Sequence, residues 1–126
     1  MATSPNNIPP FKTNAVALKL FLHIANEWQL TPVQRRQLFS FLTNQQYEAW
    51  MSGELNSEHT DLLTLVSQLM NIYKQLYQIF ADPIQANRWI FKSNSELQGL
   101  SGFDLILQKS LVGATDLNSY LASQVN

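Results

Sequence analysis

Residues 57–80 constrain this chain more than any other stretch, because their apolar side chains recur at steps of three and four residues. That period predicts a long helix with a broad apolar face. The polar residues fall on one narrow strip, which comprises Thr64, Ser67, Gln68, Asn71, Lys74, Gln75 and Gln78. A helix of this kind packs from more than one direction. We therefore predict a central helix that Ser57 caps, that ends before Asp82 and Pro83, and that contacts both halves of the protein.

Composition narrows the class of protein. The chain has 126 residues, 45% of them hydrophobic, which is ample for one folded core. It contains no cysteine, no signal peptide and no apolar run long enough to span a bilayer, so we expect a cytoplasmic protein without membrane contact. Eight basic and nine acidic residues give a net charge of -1. That balance argues against a dominant electrostatic surface for nucleic acid or anionic lipid.

The N-terminal region begins with residues 1–12, which carry three prolines and no periodicity. We predict a flexible arm there. A helix capped by Thr13 or Asn14 is expected to follow and to end near residue 28. Its inward face consists of apolar residues at helical spacing, namely Val16, Ala17, Leu20, Phe21, Ile24 and Trp28. We expect His23 to face solvent on the opposite side rather than to act as a base.

Two short helices are predicted next, and both start with the same pattern. Thr31 is followed by Gln34, and Thr43 by Gln46, which in each case lets the glutamine side chain reach back to the capping residue. Two short helices joined by a tight turn, after a longer helix, are typical of a helix-turn-helix. Residues 13–55 therefore form a predicted helix-turn-helix-like region.

This region suggests a DNA-binding surface. Arg35 and Arg36 form an adjacent basic pair on the first short helix, where arginines can hold phosphates. Asn44 and Gln45 begin the second helix, and their amides can pair with adenine. Glu48 would repel phosphate, and a solvated arginine pair is the competing interpretation. DNA binding through these four residues is a hypothesis that the sequence leaves open.

The C-terminal half, residues 56–126, continues the helical pattern. Asp82 and Pro83 start a helix that carries Trp89, residues 92–101 form a loop, Ser101 caps a short helix, and Gly113 precedes the last one. The sequence contains no credible strand. We predict an all-α fold of about seven helices, in two halves that share the central helix.

Few residues in this sequence suggest catalysis. It has two histidines, no glycine-rich phosphate loop and no pair of histidines at metal-binding spacing. We therefore predict that the protein is not an enzyme and uses neither a metal nor a cofactor. Trp28, Trp50 and Trp89 fall on apolar helical faces, which favours packing over ligand binding.

Motif residues from the central helix to the last helix occur in a fairly specific order and spacing. They are Ile72, Tyr73, Leu76, Ile79, Phe80, Asp82, Pro83, Ala86, Trp89, Asn94, Leu97, Gly99, Asp104, Leu105, Ile106 and Gly113. From Leu62 onward, the chain thereby resembles the toxin-binding domain of the Xre/MbcA/ParS class of bacterial antitoxins. Residues 30–55 more loosely resemble the helix-turn-helix of that class. Ser95, Gln98 and Gly102 depart from the proline and glycine usual in the family loop.

The resemblance implies a non-enzymatic antitoxin that clamps a RES-domain toxin, which is an NAD-degrading enzyme, and blocks access to its active site. It also implies a homodimer and, as in many relatives, repression of the protein's own operon through operator DNA. We expect contacts with the toxin at Arg88, Lys92, Leu100, Tyr120, Gln124, Val125 and Asn126. The alternative is a free-standing helix-turn-helix transcriptional regulator.

Overall fold

The computed structural model describes residues 9–125, and this part of the chain is helical without a strand. Its α-helices are α1 (Pro10–Glu27), α2 (Pro32–Leu38), α3 (Asn44–Met51), α4 (Thr60–Ile79), α5 (Pro83–Arg88) and α6 (Gly102–Gln124). Two 3₁₀ turns, Trp89–Phe91 and Ser95–Leu97, lie between α5 and α6. The all-α prediction is confirmed, with six α-helices in place of about seven. None of these helices is both long and apolar enough to cross a bilayer.

Helix α4 is the centre of the fold, as predicted, and it packs against α1, α5 and α6. Its buried side chains on successive turns are Leu62, Leu65, Val66, Leu69, Ile72, Gln75 and Leu76. The predicted cap is wrong, because the Ser57 hydroxyl bonds to His59 Nε2 at 2.9 Å instead of to a free amide. Helix α4 therefore begins at Thr60, without a side-chain cap.

Helix α1 begins earlier than predicted and includes residues 10–12, which had been assigned to a flexible arm. Residues 1–8 of that arm lie outside the described part of the chain. Neither Thr13 nor Asn14 caps this helix, because Pro10 occupies the first helical position, where a fixed φ and a missing amide hydrogen are tolerated. Asn14 is buried in α1, and its side-chain amide donates to the carbonyls of Leu55 and Ser57, at 3.0 Å each. It thus anchors the segment before α4.

The core of the N-terminal half is an aromatic cluster around Trp50. Its ring stacks on Phe21 with centroids 5.5 Å apart and meets Phe39 edge-on at 4.8 Å. The indole N–H donates to the carbonyl of Asn14 at 3.0 Å. Trp28 and Trp50 are both buried and Trp89 is half-buried, so the predicted packing role of the tryptophans is confirmed.

The predicted inward face of α1 is only partly correct. Ala17, Phe21, Ile24 and Trp28 are buried, but Val16 is 57% exposed and Leu20 is 37% exposed. The face that α1 buries is narrower than its apolar stripe because α3 and α4 cover it from one side. The uncovered flank leaves an open groove between α1 and α4.

Both short N-terminal helices start as predicted. Thr31 Oγ1 accepts from the Gln34 amide at 3.1 Å, and the Gln34 side chain accepts from the Thr31 amide at 2.8 Å. Thr43 and Gln46 form the same reciprocal pair at 3.1 and 2.9 Å. These bonds involve residues three apart in sequence, which is why the pattern alone predicts them.

The starts of α5 and α6 are also confirmed. Asp82 accepts from the Ile84 amide at 3.0 Å, and Ser101 accepts from the Asp104 amide at 3.0 Å. Helix α6 was predicted as two helices divided at Gly113, but its non-helical break is at Ser110, with φ 52°. Gly113 lies beyond the break, where a Cβ would collide with the carbonyl oxygen of Leu105. A glycine is needed there because two backbone segments approach closely.

The interface between α4 and α6 contains a cluster of side-chain amides. Gln75 Nε2 and Asn71 Nδ2 donate to Asn118 Oδ1 at 2.8 and 3.1 Å, and Asn118 Nδ2 donates to both the backbone carbonyl and the side chain of Gln68. Gln75 and Asn118 are each 8% exposed. Gln75 was predicted on the outer polar strip. It is buried because Asn118 of α6 satisfies its amide.

Candidate protein-binding and DNA-binding surfaces

The C-terminal motif residues form a surface in which the loop after α5 is attached to α6. The rings of Trp89 and Tyr120 stack with centroids 6.3 Å apart and planes 15° apart. Asn94 Nδ2 donates to the Tyr120 hydroxyl at 3.2 Å. These contacts therefore connect residues that are widely separated in sequence. We use the name C-terminal surface for the side chains of Trp89, Asn94 and Tyr120 together with the loop of residues 92–100.

The loop in this surface has a fixed backbone. Asn94 Oδ1 accepts from the Glu96 amide at 2.9 Å, and the backbone of Asn94 bonds to Leu100 and Gly99 at 3.0 and 2.9 Å. Gln98 and Gly99 have φ of 59° and 83°, in the left-handed region that glycine adopts most easily. The side-chain bond of Asn94 and the left-handed backbone of Gly99 therefore shape this loop.

The residues expected to contact a toxin do not all lie together. Lys92 and Gln124 are exposed, Leu100, Tyr120 and Val125 are partly exposed, and Asn126 lies outside the described residues. Tyr120 belongs to the C-terminal surface through its contacts with Trp89 and Asn94. Arg88 is exposed but lines a different groove.

That second groove, of about 590 Å³, runs between the end of α1, the start of α2 and helix α5. Ile84 and Phe91 in its lining are 61% and 40% exposed, respectively. Trp28 Nε1 and Asn87 Oδ1, from two further lining residues, are buried without a hydrogen-bond partner. The sequence analysis missed this groove. One available signal was the large apolar Ile84 in the first turn of a six-residue helix.

Of the four predicted DNA-binding residues, Arg36 and Asn44 contact each other, and both arginines make internal bonds. Arg36 donates to the carbonyls of Phe39 and Leu42, at 2.8 and 2.9 Å, and to Asn44 Oδ1 at 2.9 Å. It also lies over the ring of Tyr47, 5.0 Å from the centroid. These contacts connect the end of α2 to the start of α3. The Arg36 guanidinium therefore stabilises the turn between α2 and α3.

Arg35 is engaged in the same way. Its Nε donates to the carbonyl of Leu30 at 3.0 Å and its terminal nitrogen to Asn26 Oδ1 at 3.1 Å. Burial raises the pKa of the Tyr47 phenol, whereas the nearby charges of Arg35 and Arg36 oppose that shift. Gln45, by contrast, is exposed in the first turn of α3, and its side chain forms no hydrogen bond in the described part of the chain.

Other titratable groups show no metal-binding arrangement, since residues 9–125 contain no group of three histidine, aspartate or glutamate side chains close enough to hold an ion. His23 is exposed and lies 3.3 Å from the Tyr73 hydroxyl, which also donates to Glu27. His59 contacts Ser57 at the start of α4. Both histidines therefore lie at helix surfaces.

Comparison with known proteins gives one relative. The uncharacterised protein y4oB of Sinorhizobium fredii (strain NBRC 101917 / NGR234) is 25% identical to this chain over 107 residues, which are 85% of this chain and 82% of the relative. No protein-family model matches the sequence. No solved structure matches it either.

Proposed function

We propose that this protein is an antitoxin that binds a RES-domain toxin through its C-terminal surface and neutralises it. The observation that carries the proposal is the contact of Tyr120 with both Trp89 and Asn94. This contact joins the motif residues that resemble the Xre/MbcA/ParS toxin-binding domain to the second segment of α6. It supports the proposal because it brings residues from separate segments together on one surface.

The geometry of the C-terminal surface suits a protein partner. Its loop is held by the bonds of Asn94 and by the left-handed residues Gln98 and Gly99, so little conformational entropy is lost when a partner binds. Tyr120 is half-buried, and partly exposed aromatic residues frequently provide binding energy at interfaces. Lys92 is the first residue of this loop and is exposed, which leaves its charge available to a partner.

The proposal is tested by expressing the protein together with its cognate RES-domain toxin. We expect rescue of growth and co-purification of the two proteins. Lys92→Glu should impair rescue and weaken binding by at least about 10-fold, because reversing a charge at an interface can cost a few kcal/mol. Lys92 is exposed, so thermal unfolding should be unchanged.

The matched control is Lys19→Glu, which makes the same charge change at an exposed lysine outside the C-terminal surface. This control should rescue as well as the parent chain. Deleting residues 116–126 is a poor test, since Leu117 and Leu121 are buried in the core. A parent chain that neither rescues growth nor retains the toxin would refute the proposal.

DNA binding by the helix-turn-helix-like region is the second candidate, and the exposed Gln45 at the start of α3 is the observation in its favour. Because Arg35 and Arg36 of α2 make internal bonds, α3 is the better candidate for contacting the bases of DNA. Gln45→Ala should relax sequence preference in mobility-shift assays on the protein's own promoter. The assays are to be run with the chain alone and with its toxin complex. The absence of a shift in both would exclude this candidate.

A further inference from the structure

An open groove of about 720 Å³ lies between α1 and α4, away from the residues that form the C-terminal surface. Val16 and Leu20 of α1 form one wall, and Leu63, Val66 and Met70 of α4 contribute to the other. Val16 and Leu20 are large hydrophobic residues of α1 that remain exposed, at 57% and 37%. An uncovered apolar groove of this kind is typical of a surface for another protein.

The two walls run in the same direction. Asn14 of α1 bonds to Ser57 just before α4 begins, whereas His23, more than two turns later, lies against Tyr73 near the end of α4. The groove therefore extends along both helices from Lys12 at one end to Lys74 at the other. On α4 it covers residues 63–74, which is about 16 Å of helix, or about three turns.

The chemistry of the lining favours a helix as the occupant. Besides the lysines, its polar side chains are Thr13 and Ser67, and the Thr13 hydroxyl already donates to the carbonyl of Pro9 at 3.3 Å. An extended segment would bury amide and carbonyl groups there without partners, at a high cost in free energy. A helix satisfies those groups internally and presents an apolar stripe to the groove.

The charges of the lining specify the occupant further. Lys12 and Lys74 are exposed and lie at opposite ends, and among residues 9–125 no carboxylate lines the groove. A second copy docked groove to groove would bring lysines against lysines without an acidic partner. We propose that the α1–α4 groove binds an amphipathic helix of a partner protein, whose apolar stripe of two to three turns is flanked by aspartate or glutamate at both ends.

The test uses two fluorescent helical peptides with the same leucine stripe, one flanked by glutamates and the other by lysines, titrated with the full chain. From two exposed ion pairs we expect the glutamate-flanked peptide to bind about 10-fold more tightly in anisotropy measurements. This ratio should shrink as salt is added, because exposed charges are screened. Lys12→Glu with Lys74→Glu should reverse the preference.

Variants distinguish the groove from the rest of the surface. Val16→Gln with Leu20→Gln should weaken binding of the glutamate-flanked peptide at least about 10-fold, because both side chains lose apolar contact with the stripe. Val112→Gln, at a position on α6 that is 62% exposed, should leave the affinity unchanged. Thermal melts followed by circular dichroism should show that the parent chain and both of these variants are folded.

Three results would overturn the proposal. One is a failure of the glutamate-flanked peptide to bind, and another is equal affinity for the two peptides. The third is a dimer in sedimentation experiments that Val16→Gln with Leu20→Gln dissociates, since a second copy would then be the occupant. None of these outcomes depends on whether the C-terminal surface binds a toxin, because the two surfaces share no residue.

Discussion

Trp50→Ala is expected to lower the free energy of unfolding by about 3–5 kcal/mol, the usual cost of removing a large aromatic side chain from a core. Trp50 is 1% exposed, and its ring contacts Phe21, Phe39 and Tyr47. The variant also leaves the Asn14 carbonyl without the indole N–H that it accepts from in the structure. Urea denaturation monitored by circular dichroism measures the change.

Trp50→Phe separates the two contributions, because it retains an aromatic ring and removes the N–H donor. We expect it to fall between the parent and Trp50→Ala. Val33→Ala is the control, since Val33 is 65% exposed and such changes usually shift stability by less than about 0.5 kcal/mol. If Trp50→Ala unfolded at the same urea concentration as Val33→Ala, the aromatic cluster would not be the core of the N-terminal half.

Local features of this fold were predictable from the sequence because their physical causes are local. The caps of α2 and α3 depend on a threonine and a glutamine three residues apart, and the caps at Asp82 and Ser101 depend on the next few amides. The central position of α4 follows from the width of its apolar face. In the C-terminal surface, the roles of Asn94 and Gly99 follow from turn chemistry.

Features that depend on distant partners were not predictable. The position of Asn14 in the sequence predicts a helix cap. In the structure it is buried, because its side-chain amide donates to the carbonyls of Leu55 and Ser57, which are 41 and 43 residues away in sequence. The periodicity of α1 gives the direction of its apolar face, but it does not say that Val16 lies beyond the edge of its neighbours. The helix break in α6 occurs at a serine, Ser110, and not at a glycine, so the residue type does not predict it.

The candidate binding surfaces likewise combine features that the sequence predicts with features that depend on distant partners. The sequence marks Arg35 and Arg36 as a basic pair, but their bonds to backbone carbonyls depend on how α1, α2 and α3 meet. The stacking of Tyr120 on Trp89 likewise depends on the path of α6 after its break. A residue's type and position in a helix are therefore insufficient to decide whether its polar group faces a partner protein or the rest of its own chain.

Asn118→Leu is expected to lower the free energy of unfolding by about 2–4 kcal/mol, because each buried polar group left without a partner costs about 1–3 kcal/mol. Asn118 Oδ1 accepts from both Gln75 and Asn71, so the variant removes the acceptor of two donors. Gln75 is 8% exposed and has little access to water as a substitute. Ser119→Ala, at the exposed neighbouring position, should change stability by less than about 0.5 kcal/mol.

The double variant Gln75→Leu with Asn118→Leu distinguishes the loss of a hydrogen-bond partner from a simple change of shape. Replacing both members of a buried polar pair by apolar side chains removes the unpaired donor, so the second substitution should recover part of the stability lost in the first. We expect a coupling energy of about 1 kcal/mol or more in a double-mutant cycle measured by urea denaturation. Additivity of the two single changes within about 0.5 kcal/mol would show that Gln75 does not depend on Asn118 for its burial between α4 and α6.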